Sequence, residues 1–153
     1  MKKFNPEHVA EVKVSYTPKV PASLRPSITS SEAAAQILRQ TWDADRINLV
    51  ESFKIILLNR AHRVLGVSTV SEGGVSGTLA DPKIIFATAL KTLSSAIILA
   101  HNHPSGNTKP SQADINLTKK LVEGGKLLDI AVLDHLIITP EDGYFSFCDE
   151  GLI

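Results

Sequence analysis

The sequence predicts an α/β domain, a mixed β-sheet flanked by helices. Apolar runs of strand length, such as "SAIILAH" and "IAVLDHLIIT", alternate with stretches of helical period. Helix-start residues and Pro or Gly breaks stand between them. With 153 residues and 43% apolar content, the chain is long enough for one real core.

The elements follow in chain order. Residues 1–28 read as an extended arm and residues 29–153 as the domain. Pro6, Pro18, Pro21 and Pro26 break any helix in the arm, while "EVKVSY" alternates like a short edge strand that would pack on the domain or on another copy of it. Thr29 and Glu32 have capping-box spacing, and "AAAQILRQTW" follows as a helix. "NLVESFKIILLN" and "HRVLGVSTVSEG" read as two strands with a hairpin turn at Asn59–His62, and Gly73, Gly74 and Gly77 mark a loop. Asp81 and Pro82 make a good N-cap and first residue for the helix "KIIFATALKTL". "SAIILAH" is apolar throughout, as a strand covered on both faces must be. Ser111 is a good N-cap for a helix to about Leu128, with Gly124 and Gly125 weakening its end. "IAVLDHLIIT" and "YFSF" close the chain as strands joined by the turn "PEDG".

Charge and composition exclude several classes. Sixteen basic residues balance sixteen acidic ones, so the surface is not built mainly to neutralise phosphates, and nucleic-acid binding is expected to be at most weak. The one cysteine, Cys148, has no internal disulfide partner; a reducing cytoplasm fits, with a buried thiol as the default. The start "MKKFNPEHVAEVKVSY" has no apolar stretch and is not expected to be a signal peptide. No apolar run reaches the roughly 20 residues of a membrane helix. A cytoplasmic protein without membrane association is expected.

The chemistry concentrates in "IILAHNHPSGNTKPSQADINL". His101 and His103 end a buried strand, where residues two apart face the same way. The loop then folds back through Pro104, Gly106 and Pro110 to the helix that carries Asp114 in its first turn. Two imidazoles and a carboxylate form a three-ligand set with an open fourth position, the arrangement of a catalytic zinc; a closed Cys-rich structural site is excluded by the single cysteine. Zinc in such a site brings the pKa of water toward about 7. A glutamate must then carry a proton from water to the leaving group. Spacing does not choose it: Glu32, Glu51, Glu72 and Glu123 are all open.

"HNHPSG…PSQAD" resembles the metal motif of the JAB/MPN (JAMM) metalloenzymes, in which His-x-His is followed by ten residues and an aspartate; ten residues separate His103 from Asp114 here. Together with "ESFKIILLN" and "LLDIAVLDHLII", the segment resembles the RadC-like branch from about Asp45 to the C-terminus. The resemblance implies a JAB/MPN fold of cytidine-deaminase-like architecture. It implies a zinc-dependent hydrolase of peptide or isopeptide bonds, in which the metal activates water. His101, His103 and Asp114 would be the metal ligands, Glu51 the catalytic glutamate, and Ser111 the serine that stabilises the tetrahedral intermediate. Ser111 also has the competing task of helix N-cap. The implied partner is a peptide or protein substrate, with a homo-oligomer open. A second reading, from the DNA-repair label of RadC-like proteins, is a DNA-repair accessory or protein-interaction module whose metal is structural.

Two departures stand against the family pattern. The helical DNA-associated domain of longer RadC-like proteins has only the Pro-broken arm in its place, and "DPKIIF" carries Lys83 and Ile84 where an arginine–glutamate pair is expected. Among the remaining residues, His135 and Asp134 have two readings, a hydrogen-bonded strand pair or support for the metal site. His8, His62, Trp42 and Phe53 need no chemical role, and Lys119, Lys120 and Lys126 read as a solvated helix face.

Overall fold

Strand β3 (Ala96–Asn102), buried along its whole length, is the middle of a five-stranded sheet of order β2-β1-β3-β4-β5. The computed structural model describes residues 6–74 and 78–153. Its other strands are β1 (Ser52–Leu58), β2 (Val64–Glu72), β4 (Ala131–Ile138) and β5 (Tyr144–Ser146). Only β3 and β4 run parallel; the β1–β2, β1–β3 and β4–β5 pairs are antiparallel, so the sheet is mixed as predicted. The parallel pair needs a crossover, and helix α3 (Gln112–Leu127) supplies it.

The helices α1 (Ser31–Thr41), α2 (Pro82–Lys91) and α3 cover both faces. On the α1 face, Ala34, Leu38 and Trp42 pack with Ile56, Ile98 and Leu136. On the other, Ile85 and Ala89 of α2 and Leu121 of α3 pack with Ile55, Leu57, Ile97 and Leu99. Alternate residues of β1 and β3 therefore feed two separate cores, which is why these strands are continuously apolar. Among the described residues, no helix is long and apolar enough to cross a membrane.

Several boundaries differ from the sequence reading. The N-cap of α1 is Ser30, whose hydroxyl accepts the Ala33 N–H at 3.1 Å; Thr29 stands one residue too early. Residues 43–50 form turns, with the Ile47 and Val50 amides bonded to the Asp43 and Arg46 carbonyls, and β1 starts only at Ser52. "EVKVSY" pairs with no strand and leaves Val12 and Val14 exposed. The β2 edge it could have joined is met instead at Val64, whose N–H bonds the Pro26 carbonyl, while Tyr16 reaches the Leu65 carbonyl only through its hydroxyl. Gly77 of the glycine loop lies outside the described residues, as do the first residues of the arm. Cys148 is exposed rather than buried.

α3 runs through Gly124 and Gly125 to Leu127, close to the end read from the sequence. A Cβ on Gly125 would collide with the Ile130 carbonyl oxygen, so this glycine lets the chain turn closely beneath the helix into β4. Among the described residues, three that are not glycine have left-handed backbone: His62, Leu93 and Asp129, with φ of 56°, 52° and 54°. They occupy the β1–β2, α2–β3 and α3–β4 turns, all at the end of the sheet opposite His101.

Candidate metal centre

β3 delivers the two histidines. Ile97, Leu99 and His101 alternate onto the α2–α3 face, and the His103 N–H continues the ladder by bonding the Ile138 carbonyl at 2.9 Å. The chain then turns at once: the Gly106 N–H bonds the His103 carbonyl at 3.0 Å, with Gly106 at φ 82°, a conformation suited to glycine. The turn returns the Asn107 carbonyl to His103 Nδ1 at 2.6 Å. A carbonyl only accepts, so Nδ1 carries the hydrogen and a neutral His103 presents a bare Nε2. His101 is engaged through Nδ1 as well, 2.7 Å from His135 Nε2. The two remaining Nε2 atoms face each other at 3.0 Å.

Asp114 joins them from the first turn of α3. Its Oδ1 is 3.5 Å from His101 Nε2 and its Oδ2 is 3.9 Å from His103 Nε2. The helix start is a reciprocal capping box: the Ser111 hydroxyl accepts the Asp114 N–H at 3.1 Å, and the Ser111 N–H donates to Asp114 Oδ2 at 2.7 Å. Burial pushes the Asp114 carboxyl upward. A hydrogen bond and positive charge from His101 when its Nε2 is protonated, together with the Ser111 backbone and hydroxyl, outweigh it and hold the group below the usual carboxylate range. It is an anion fixed in place before any ligand arrives.

Glu51 enters from the neighbouring strand. Phe53 is the direct partner of His101 in the β1–β3 register, so Glu51, two residues earlier, stands beside the strand end that carries the histidines. One ligand atom each from Glu51, His101 and His103 lies within 4.8 Å of the others. That set and the Asp114 contacts share both histidines. Glu51, His103, Ser105, Lys109 and Ser111 line an open cleft of about 410 Å³.

Four further polar residues lie behind the centre. Asn102, fully buried between the two histidines, points to the opposite face. It accepts the Ser52 N–H at 2.7 Å and donates to the Ile47 and Val50 carbonyls at 2.9 Å each, tying down the segment that carries Glu51. Thr118 is fully buried on α3, 2.6 Å from His135 Nδ1. His135 is itself fully buried, and burial first, then the neighbouring His101, lowers its pKa well below the ordinary histidine value. A polar residue at a position that strand or helix periodicity assigns to the core is the sequence mark for both Asn102 and Thr118. The fourth, Asp134, faces away from the centre: it takes the Ser146 hydroxyl at 2.6 Å and the His135 and Cys148 amides at 2.7 and 3.0 Å, partly offsetting the rise in its pKa that burial causes.

The chemistry of this donor set fits a divalent cation. Two imidazole nitrogens 3.0 Å apart, with a fixed carboxylate beside them, repel as lone pairs unless a positive charge stands between them. Imidazole and carboxylate without thiolate suit zinc among several first-row metals.

Known relatives extend this picture. Curated proteins similar to the chain are a UPF0758 protein of Flavobacterium johnsoniae, 45% identical over 102 residues (67% of this chain, 44% of that protein), and one of Porphyromonas gingivalis, 47% identical over 103 residues (67% and 45%). A UPF0758 protein of Alkaliphilus metalliredigens is 47% identical over 103 residues, again 67% of this chain and 44% of the relative. The chain thus spans less than half the length of the curated relatives it matches. The sequence profile of the RadC-like JAB domain matches residues 28–152. That match begins where the arm meets the sheet and takes in every element that builds the metal centre: the chain belongs to the RadC-like JAB domain family.

Proposed function

We propose that the protein is a zinc-dependent hydrolase of peptide or isopeptide bonds. The observation that carries this reading is a pair of facing Nε2 atoms with a held carboxylate, Asp114, beside them and a free one, Glu51, within reach of both histidines, where Glu51 and His103 line an open cleft. His101, His103 and Asp114 would hold the ion. Asp114 suits ligation because its capping box fixes it with Oδ1 toward His101. Glu51 suits proton transfer because, among the described residues, its carboxylate has no hydrogen-bond partner and it lies in the cleft wall. Bound zinc supplies Lewis-acid polarisation and water acidic enough to react near neutral pH. Glu51 takes the proton from the attacking water and delivers it to the amine as the C–N bond breaks. Ser111 spends a lone pair on its cap and keeps its hydroxyl hydrogen, which can be donated to the oxyanion that develops on the carbonyl. The cap and the catalytic task therefore use different parts of one hydroxyl.

Elemental analysis of protein purified without added metal tests the reading. About one zinc per chain is expected, as one set of ligands is present, and His103→Ala should lose it, because only two of the three proposed ligands remain. Full zinc occupancy in His103→Ala would refute the ligand set. Hydrolysis is tested on the same preparation with a panel of peptide and isopeptide substrates.

A further inference from the structure

Behind His101 lies a polar chain that the proposed hydrolysis does not use directly. Thr118 Oγ1 is 2.6 Å from the Asp114 carbonyl and 2.6 Å from His135 Nδ1, and His135 Nε2 is 2.7 Å from His101 Nδ1. Thr118 and His135 are fully buried, and His101 nearly so. The His135 ring is held against Phe147 (stacked, centroids 4.7 Å apart) and edge-on to Phe53 at 5.5 Å, while His101 lies parallel to Phe53. Neither imidazole has room to turn, so what is left to decide is where each hydrogen sits.

The contacts decide it. A hydroxyl has one hydrogen, and the Asp114 carbonyl can only accept. Thr118 must spend its hydrogen there, or two oxygens would stand 2.6 Å apart with nothing between them. Its oxygen is then an acceptor for His135, which carries hydrogen on Nδ1. A neutral His135 has a bare Nε2, which accepts from His101 Nδ1–H. His101 is left with a bare Nε2 directed at His103 and Asp114. The reverse order, with Thr118 donating to His135, would put a hydrogen on His101 Nε2, where the ion should bind.

We propose that Thr118 and His135 are positioning residues whose hydrogen-bond direction, set by the Asp114 carbonyl, locks His101 as the Nδ1–H tautomer and turns its Nε2 lone pair toward the metal. The inference rests on the zinc site proposed above. It makes Asp114 serve the site twice, through its carboxylate directly and through its main-chain carbonyl by way of Thr118, His135 and His101. Partners of this kind typically alter metal affinity by about 10–100-fold when removed.

The test has two arms. Long-range proton–nitrogen correlation spectra of the metal-free wild-type chain, labelled at its histidines, should give His135 a pyrrole-like Nδ1 and a pyridine-like Nε2; the opposite assignment overturns the proposal. Zinc affinity, measured by competition with a chromophoric chelator, should fall about 10–100-fold in Thr118→Val, which keeps the shape and removes the hydroxyl, and return in Thr118→Ser. Unchanged affinity in a folded Thr118→Val would overturn the proposal while leaving the zinc site intact. A wild-type chain that binds no zinc would refute the site itself and this inference with it. The wild-type spectrum stands whether or not Thr118→Val folds.

Discussion

Glu51 and Asp114 are both carboxylates beside the same histidines, yet their surroundings differ, and under the proposed function that difference would divide the work. Asp114 is bonded by its own helix cap, whereas Glu51 stands in the cleft wall on a segment fixed from behind by Asn102. Glu51→Gln preserves size and removes basicity. It should retain zinc and fold normally while losing about 10²–10⁴-fold in single-turnover hydrolysis, the usual worth of a positioned proton carrier. Lost zinc would make Glu51 a ligand instead, and undiminished hydrolysis would remove it from the mechanism. The sequence shows this division poorly. His101, His103 and Asp114 are conspicuous because three metal-ligating residues crowd one loop, but spacing leaves four glutamates open, and only the Phe53–His101 register brings Glu51 beside the histidines. Thr118 and His135 are harder still to find. Their roles arise from which atom faces which across α3 and β4, and no spacing within one segment encodes that.

Among the elements, those with strong local signals are readable in advance. Continuous apolar β3, the Asp81–Pro82 start of α2 and the Ser111 cap of α3 all combine a hydrophobic run with an end signal. "EVKVSY" has alternation alone, and it forms no strand although β2 lies at the edge of the sheet. Glycine in a helix normally weakens it, but a Cβ on Gly125 would collide with the Ile130 carbonyl oxygen. Gly125→Ala should therefore destabilise the fold by about 1–3 kcal/mol through overpacking, despite alanine's better helix propensity, as read by urea unfolding. Gain of stability would show that the α3–β4 turn yields freely.

The whole molecule assembles its centre from three separated stretches: the approach to β1, the end of β3 with its loop, and the start of α3. Its sixteen basic and sixteen acidic residues leave no excess charge for nucleic acid. DNA binding by this chain alone should be weak and fall steeply with salt; nanomolar affinity at physiological salt with preference for one sequence or branched structure would contradict this.

The three left-handed turns at the far end of the sheet separate two properties that many enzymes must trade against each other. Conformational cost is concentrated at one pole and chemistry at the other, so durability can be adjusted without disturbing the reactive end. Leu93, at φ 52° and with its side chain 79% exposed, loses little packing if truncated. Leu93→Gly should relieve about 1 kcal/mol of backbone cost, raising the melting temperature while zinc affinity stays unchanged. For a lineage moving to warmer surroundings, or for anyone adapting the domain, that pole is ground on which heat tolerance can change while the chemistry stays as it was.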